Sequence, residues 1–290
     1  MSATLQGYFP IMPTAYRQDG QVDLPSMERL VHFLVENGAQ GMSPNGGDSE
    51  AAHLAPEERM RSLEAVLAAN GGRTPVLAGT TANTAAESLR LNRHAQQAGA
   101  SAVFVMPSWN CQEMSADAMF AYYQDLAAAI DLPVMVHATR NMDLPFMERL
   151  LRHLPTVRYI KEETSHGPRL RQYARELGDR VTVFGPGLHY PAELGWGARG
   201  VMPSCCAPRS HARVFDLWQA GRHAEARAEW NLMLPLVFWR WHTAAGEAGK
   251  VFLMHRGVFE TAFVRPEFGT LKLDKDDRQE MLAILATMDG

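Results

Sequence analysis

The segment Val157-Arg158-Tyr159-Ile160-Lys161-Glu162-Glu163-Thr164 predicts a short apolar strand that ends at a lysine. The chain contains four lysines, and Lys161 is the one that follows an apolar strand. An apolar setting disfavours the charged form of a lysine and leaves a nucleophilic amine. The segment equally fits a surface lysine paired with Glu162 or Glu163. The place of the strand in the fold must decide between these two interpretations.

Seven further apolar segments surround this one, and most are followed by an amphipathic helical pattern. The eight predicted strands cover residues 7–14, 41–44, 75–80, 102–107, 133–137, 157–161, 181–185 and 200–204. Continuous apolar strands that alternate with helices are typical of a parallel sheet covered on both faces. We therefore predict an α/β fold, a (β/α)8 TIM barrel over residues 1–207. Residues 208–290 show only helical patterns and predict a C-terminal helical region packed on the barrel.

The composition narrows the classes of function. The chain has 290 residues, of which 46% are hydrophobic, and a net charge of −4. It has no block of Lys and Arg, so binding to nucleic acid or to an anionic membrane has no electrostatic support. No secretory signal and no apolar run of membrane-spanning length is visible. Three cysteines, two of them adjacent, argue against a disulfide framework. These features predict a cytoplasmic protein.

The barrel prediction places Lys161 where active sites of this fold lie, at the carboxyl end of the sixth predicted strand. Side chains alternate along a strand, so Lys161 and Glu163 share a face with Val157 and Tyr159, whereas Glu162 points away. The nucleophile interpretation is thereby favoured. Glu163 is a candidate for proton transfer, or a counter-ion for the lysine.

His137, at the end of the fifth predicted strand, is the first candidate for proton transfer. A histidine titrates near neutrality, which suits general acid–base catalysis. The alternative is a strand-end histidine bonded to the backbone.

The loop after the second predicted strand offers donors for a substrate carboxylate. They are the backbone N–H groups of residues 46–49 and the hydroxyl of Ser49. The Asp48 carboxylate would repel such a substrate if it pointed inward, or it could bind a sugar hydroxyl. Gly185 would let the chain pass close to a ligand, or would form a simple turn. No close pair of histidines and no nucleotide fingerprint is present, so we predict no metal and no cofactor.

The chain resembles the dihydrodipicolinate synthase / N-acetylneuraminate lyase family over nearly its whole length. The matching residues are Gly41, Pro44, Gly46, Ser49 and Glu50 after the second strand, Ile160-Lys161, Gly185, and Gly200-Val201. The resemblance implies a (β/α)8 barrel with C-terminal helices, a Schiff base between Lys161 and a 2-keto acid, and a homo-oligomer, either tetramer or dimer. We expect the substrate contacts to come from Gly47, Asp48, Ser49, Gly185 and Met202.

The chain departs from the family pattern at several positions. Gly47-Asp48 replaces two adjacent threonines that bind the carboxylate, and His137 replaces the tyrosine that shuttles protons. Ser108-Trp109 replaces a tyrosine pair, so Trp109 would cover a neighbouring subunit's site or simply pack in an interface. A shorter loop brings Arg140 near the position of a carboxylate-binding arginine.

A narrower resemblance is to the 2-keto-3-deoxy-L-arabinonate dehydratases of this family, on Ser49-Glu50, Lys161, Glu163 and Thr164. We therefore expect a Schiff-base lyase that dehydrates, or cleaves by a retro-aldol reaction, a 2-keto-3-deoxy sugar acid. One alternative is a synthase or aldolase that condenses pyruvate with an aldehyde. Another alternative is a non-catalytic barrel that binds a keto acid. The replacement of the family's tyrosines and threonines favours this alternative, whereas the presence of Lys161 opposes it.

Overall fold

The computed structural model describes residues 4–164, 167–242, 245–268 and 272–288. The strands in these ranges are β1 (Gly7–Tyr8), β2 (Leu77–Gly79), β3 (Ala102–Val105), β4 (Val134–His137), β5 (Val157–Lys161), β6 (Thr182–Gly185) and β7 (Gly200–Val201). The helices are α1 (Leu24–Glu36), α2 (Pro56–Asn70), α3 (Ala85–Ala98), α4 (Ala116–Ala129), α5 (Leu144–His153), α6 (Pro168–Leu177), α7 (Tyr190–Gly195), α8 (Pro208–Gln219), α9 (His223–His242), α10 (Ala245–His255) and α11 (Lys275–Met288).

The strands form one parallel sheet in the order β1-β7-β6-β5-β4-β3-β2. Residues 40–44 lie between the two outer strands, with bridges from Ser43 to Ile11 and from Met42 to Val76. This segment closes the sheet into a barrel, and the predicted TIM-barrel fold is confirmed. The predicted second strand is a pair of isolated bridges rather than a regular strand, because Pro44 has no N–H group to extend the ladder. Because this segment is not counted as a strand, the sixth predicted strand, which ends at Lys161, is β5.

A bulge in β5 changes which side chains face the barrel interior. Val134 pairs with Val157, but Met135 pairs with Tyr159, so Arg158 is an extra residue in the ladder. Tyr159 packs inside the barrel, whereas Val157 belongs to the layer between strands and helices. The expectation that Val157 shares a face with Lys161 is wrong, because the inserted residue shifts the alternation.

The barrel interior is a packed core of large apolar side chains. Its members come from seven strand segments and the N-terminal residues: Leu5, Phe9, Ile11, Leu77, Ala102, Phe104, Met135, Tyr159, Phe184 and Met202. Such a core leaves no pore through the barrel, so ligands can enter only at its ends.

Helices after β7 cover the barrel in two ways. α8 begins at Pro208, the first residue of the predicted helical region. It packs against β1, and the His211 ring stacks on the Tyr8 ring at a centroid distance of 4.8 Å. α9 lies across the carboxyl ends of the strands, where Arg240 contacts Asp48. Among the described residues, no helix is both long and apolar enough to cross a membrane.

Candidate active site

A cavity of about 130 Å³ lies at the carboxyl ends of the strands, beneath α9. Strand ends and the loops that follow them form its floor and walls. α9 supplies a mostly apolar roof. The lining includes Ile11, Gly47, Asp48, Phe104, His137, Lys161, Glu163, Pro186, Gly187, Met202, Ser204, Cys206, His211, Met233, Leu236, Val237, Arg240 and Trp241.

Lys161, Glu163 and His137 meet on the floor of this cavity. The Lys161 amine makes a close ion pair with Glu163 Oε2, and His137 Nε2 lies 3.5 Å from the same oxygen. The Lys161 side chain is 7% exposed and that of Glu163 33% exposed. The pleat places Lys161 and Glu163 on one face, as expected, and the end of β4 brings His137 beside them.

The charges of its neighbours keep Glu163 ionised. Burial would raise the pKa of the Glu163 carboxyl, but the Lys161 charge and the hydrogen bond from His137 outweigh burial. Together they hold the pKa of Glu163 well below its usual range. Glu163 is thus a carboxylate as long as Lys161 carries its proton.

Phe104 of β3 forms an apolar platform for the two basic side chains. Its ring stacks on His137 at a centroid distance of 4.9 Å, and the Lys161 amine lies 5.4 Å from the ring centroid. An aromatic face attracts a cation and orients an imidazole without offering a competing hydrogen bond.

The loop after residues 40–44 forms one wall of the cavity. It folds into a 3-10 turn at Gly47–Ser49, with Glu50 in the left-handed conformation at φ 57°. None of the described residues accepts a hydrogen bond from the N–H groups of Gly47 or Asp48. These two donors are therefore available to a ligand.

Two basic side chains of the cavity, Arg240 and His211, were not predicted from the sequence. Arg240 Nη2 lies 2.5 Å from Asp48 Oδ2, although the two residues are 192 positions apart. His211 is buried, and its Nδ1 donates to the Ala207 carbonyl at 3.1 Å. Burial lowers the pKa of His211 to about 4, so its imidazole is neutral. No sequence motif marks either residue, because only the packing of α8 and α9 brings them to the cavity.

Glu193 supports the loop after β6 from below. Its carboxylate accepts hydrogen bonds from the N–H groups of Gly187 and His189, both at 2.8 Å. Burial raises the pKa of Glu193 to about 7, although these hydrogen bonds lower it. A Cβ atom on Gly185 would lie 2.1 Å from Glu193 Oε2, so glycine is required there to admit this carboxylate.

The predicted site residues divide into two groups. Lys161, Glu163, His137, Gly47, Asp48 and Met202 all line the cavity. Ser49, Arg140, Gly185 and Trp109 are not among its lining residues. The Ser49 hydroxyl is held by the Met12 carbonyl and the Gly46 N–H group. Arg140 is exposed, and its carbonyl accepts a hydrogen bond from Arg169.

The cysteines and other potential metal ligands are dispersed. Cys111, Cys205 and Cys206 are buried free thiols. The part of the chain that the structure describes has no group of three or more His, Cys, Asp or Glu side chains placed to hold a metal ion.

The sequence matches the model of the "Dihydrodipicolinate synthetase family" over residues 4–288. The L-2-keto-3-deoxyarabonate dehydratase of Azospirillum brasilense is 30% identical over 298 aligned residues, which cover 98% of this chain and 94% of the relative. A 4-hydroxy-tetrahydrodipicolinate synthase of Syntrophus aciditrophicus is 31% identical, over 76% of this chain and 78% of the relative.

Solved structures show the same fold. YagE, a prophage protein of the dihydrodipicolinic acid synthase family from E. coli K12 crystallised in complex with pyruvate, has a TM-score of 0.91. It is 23% identical, with 99% of each chain covered. The dihydrodipicolinate synthase of Aquifex aeolicus also has a TM-score of 0.91, at 20% identity and 98% coverage of each chain. By its sequence match over nearly all residues, the chain belongs to the dihydrodipicolinate synthetase family and is a lyase.

Proposed function

We propose that this enzyme dehydrates a 2-keto-3-deoxy sugar acid through an imine between C2 of the substrate and Lys161. The observation that carries the proposal is the contact of Glu163 with both Lys161 and His137 in the cavity at the strand ends. The similarity to an L-2-keto-3-deoxyarabonate dehydratase over 98% of the chain supports the same class of substrate.

Glu163 is suited to prepare the lysine for attack. A charged amine is not a nucleophile, so Lys161 must be without its proton when it attacks. Transfer of one proton from Lys161 to Glu163 removes the charge that keeps the pKa of Glu163 low, so the carboxyl can hold this proton. The neutral amine then adds to C2, and loss of the carbonyl oxygen as water gives the protonated imine.

The imine is an electron sink that permits loss of a proton from C3. The resulting enamine expels the C4 hydroxyl, which leaves as water when an acid protonates it. For a 2-keto-3-deoxy-pentonate, a second transfer moves a proton from C5 to C3 and leaves an enol at C4 and C5. This enol gains a proton at C4 and loses its hydroxyl proton, and hydrolysis of the imine then gives α-ketoglutarate semialdehyde and frees Lys161. His137 is our first candidate for these transfers, because its Nε2 lies 3.5 Å from Glu163 Oε2.

The substrate carboxylate needs donors on the opposite side of the imine. The N–H groups of Gly47 and Asp48 are available for this role. The exposed Arg140 is less suited to it, since its side chain is not part of the cavity lining. Trp109 also lies outside the cavity lining, and the idea that it covers the site of a neighbouring subunit stays a prediction. The homo-oligomer and the cytoplasmic location stay predictions as well.

A second candidate is condensation of pyruvate with an aldehyde. The 31% identity to a 4-hydroxy-tetrahydrodipicolinate synthase favours it. The same imine and enamine at Lys161 would serve this reaction, with the enamine attacking an aldehyde instead of expelling a hydroxyl. The replacement of the family's two threonines by Gly47-Asp48 and of its tyrosine by His137 favours dehydration.

The test is reductive trapping followed by product analysis. Borohydride with pyruvate or a 2-keto-3-deoxy acid should leave a covalent adduct, which peptide mapping should locate on Lys161 and which Lys161→Met should abolish. Incubation of 2-keto-3-deoxy acids should then release dehydration products. Release of pyruvate and an aldehyde would show an aldolase instead. Absence of any adduct on Lys161 would leave a non-catalytic keto-acid-binding barrel.

A further inference from the structure

Arg240 is a buried cation that reaches the active-site cavity from the C-terminal helical region. It lies near the end of α9, its side chain is 7% exposed, and it lines the same cavity as Lys161. Its Nη2 donates to Asp48 Oδ2 at 2.5 Å. The guanidinium is thereby fixed beside the loop whose Gly47 and Asp48 N–H groups are available to a ligand.

Several N–H groups of the Arg240 guanidinium have no acceptor among the described residues. An arginine carries five N–H donors in a planar fork, and among the described residues Asp48 is the only acceptor for them. Its Nε is buried without any hydrogen-bond partner among those residues. A buried donor left unsatisfied costs about 1–3 kcal/mol. Nε itself is too enclosed for a ligand to reach, but Nη1, which also has no acceptor among the described residues, is not enclosed in this way and can donate to an acceptor in the cavity.

The charged side chains that line the cavity balance one another. The acids and strong bases in its lining are Lys161, Arg240, Glu163 and Asp48, two of each sign. A 2-keto acid adds one negative charge, and Lys161 stays positive as a protonated imine with Glu163 as its partner. Arg240 and the neighbouring N–H groups can then supply the favourable contacts for the substrate carboxylate.

We propose that Arg240 determines specificity for 2-keto acids by binding the C1 carboxylate, with Asp48 holding the guanidinium in position. The inference rests on the proposed function, because it takes the substrate to be a 2-keto acid bound at Lys161. It assigns to a residue of the helical region the role that sequence comparison gives to Arg140. It also gives Asp48, which by itself would repel the substrate, a favourable part in the site.

Reductive trapping of pyruvate and of its neutral amide, pyruvamide, tests this assignment. The wild-type protein should trap pyruvate in preference to pyruvamide. Arg240→Gln should lower that preference by about 10- to 100-fold, the range expected for loss of a hydrogen bond between charged groups. Trapping of pyruvamide should be unchanged, which also shows that the variant is folded. An unchanged preference in Arg240→Gln would overturn the proposal.

A double variant separates direct binding from simple neutralisation of Asp48. If Arg240 only cancelled the Asp48 charge, Asp48→Asn/Arg240→Gln would recover the wild-type preference for pyruvate, and the proposal would be wrong. Direct binding predicts that the double variant keeps the low preference. Arg222, the residue before α9, makes an exposed ion pair with Glu225 in the first turn of that helix, and Arg222→Gln should behave as wild type.

Non-covalent binding separates this inference from the imine chemistry. Lys161→Met cannot form an imine, so pyruvate and pyruvamide can be titrated against it by ligand-observed NMR. A preference for pyruvate that disappears in Lys161→Met/Arg240→Gln supports the role of Arg240, even if the wild-type protein yields no borohydride adduct. Equal binding of both compounds to Lys161→Met would overturn it.

Discussion

His137 and Lys161 are register partners on the last rung of the ladder between β4 and β5. They are 24 positions apart in the sequence, yet the parallel pairing places both side chains at one end of the barrel, and Glu163 lies within reach of both. The ladder is part of the rigid core of the barrel. Backbone hydrogen bonds therefore fix the relative positions of the two Cα atoms from which the imidazole and the amine extend.

The first prediction concerns His137. His137→Phe preserves the ring that stacks on Phe104 but removes both nitrogens. We expect imine trapping with pyruvate to be unchanged and kcat for dehydration to fall about 100-fold or more, as for loss of a general acid–base group. Trapping yield and steady-state kinetics measure the two effects. Normal turnover would instead assign proton transfer to Glu163 or Asp48.

The second prediction concerns Glu163. Glu163→Gln keeps the size of the side chain but cannot take the Lys161 proton, so imine formation itself should slow about 100-fold. Mass spectrometry of protein quenched with borohydride at successive times measures this rate. Glu57→Gln, which breaks an exposed ion pair with Arg90, is the control. Adduct formation at the wild-type rate in Glu163→Gln would contradict the role given to this carboxylate.

The third prediction concerns the buried ion pair between Glu50 and Lys250. Lys250 of α10 is fully buried and pairs with Glu50, which follows the Gly47–Ser49 turn. Lys250→Met leaves the Glu50 carboxylate buried without its partner and should lower the free energy of unfolding by about 3–5 kcal/mol. Lys250→Met/Glu50→Gln should recover most of that loss. Urea denaturation measures the free energy of unfolding of both variants. If the single and the double variant lose the same amount of stability, the loss comes from packing and not from charge.

The fourth prediction concerns pH and Glu193. Burial raises the pKa of Glu193 from 4.5 to about 7 in the folded protein, so between these values the folded state binds more protons than the unfolded state. The contribution of Glu193 to stability is then fully present below pH 4.5 and is lost as pH rises through 7, a loss of about 3 kcal/mol. Glu193→Gln should flatten that part of the stability profile, whereas the exposed Glu57→Gln should not. A wild-type slope retained in Glu193→Gln would show that another group is responsible.

The order of residues alone was enough to predict the fold class and to single out Lys161 as the candidate nucleophile. Strand and helix periodicity are local properties, so the alternation of β and α units, and with it the barrel, could be predicted from the order of residues. A lysine that ends a barrel strand is placed at the catalytic end by topology alone. The side-chain alternation that puts Glu163 beside Lys161 is likewise a local rule.

The rest of the site depends on contacts that form only when the chain is folded. The bulge at Arg158 depends on pairing with β4, and no pattern within β5 reveals it. Arg240 and His211 reach the cavity because α9 and α8 pack over the strand ends, and Glu193 reaches Gly185 because α7 folds back beneath its loop. Contacts between residues far apart in the sequence depend on packing of whole elements, which local propensity does not encode. The sequence thus identifies Lys161, and the packing of the C-terminal helices supplies the charge we propose to bind its substrate.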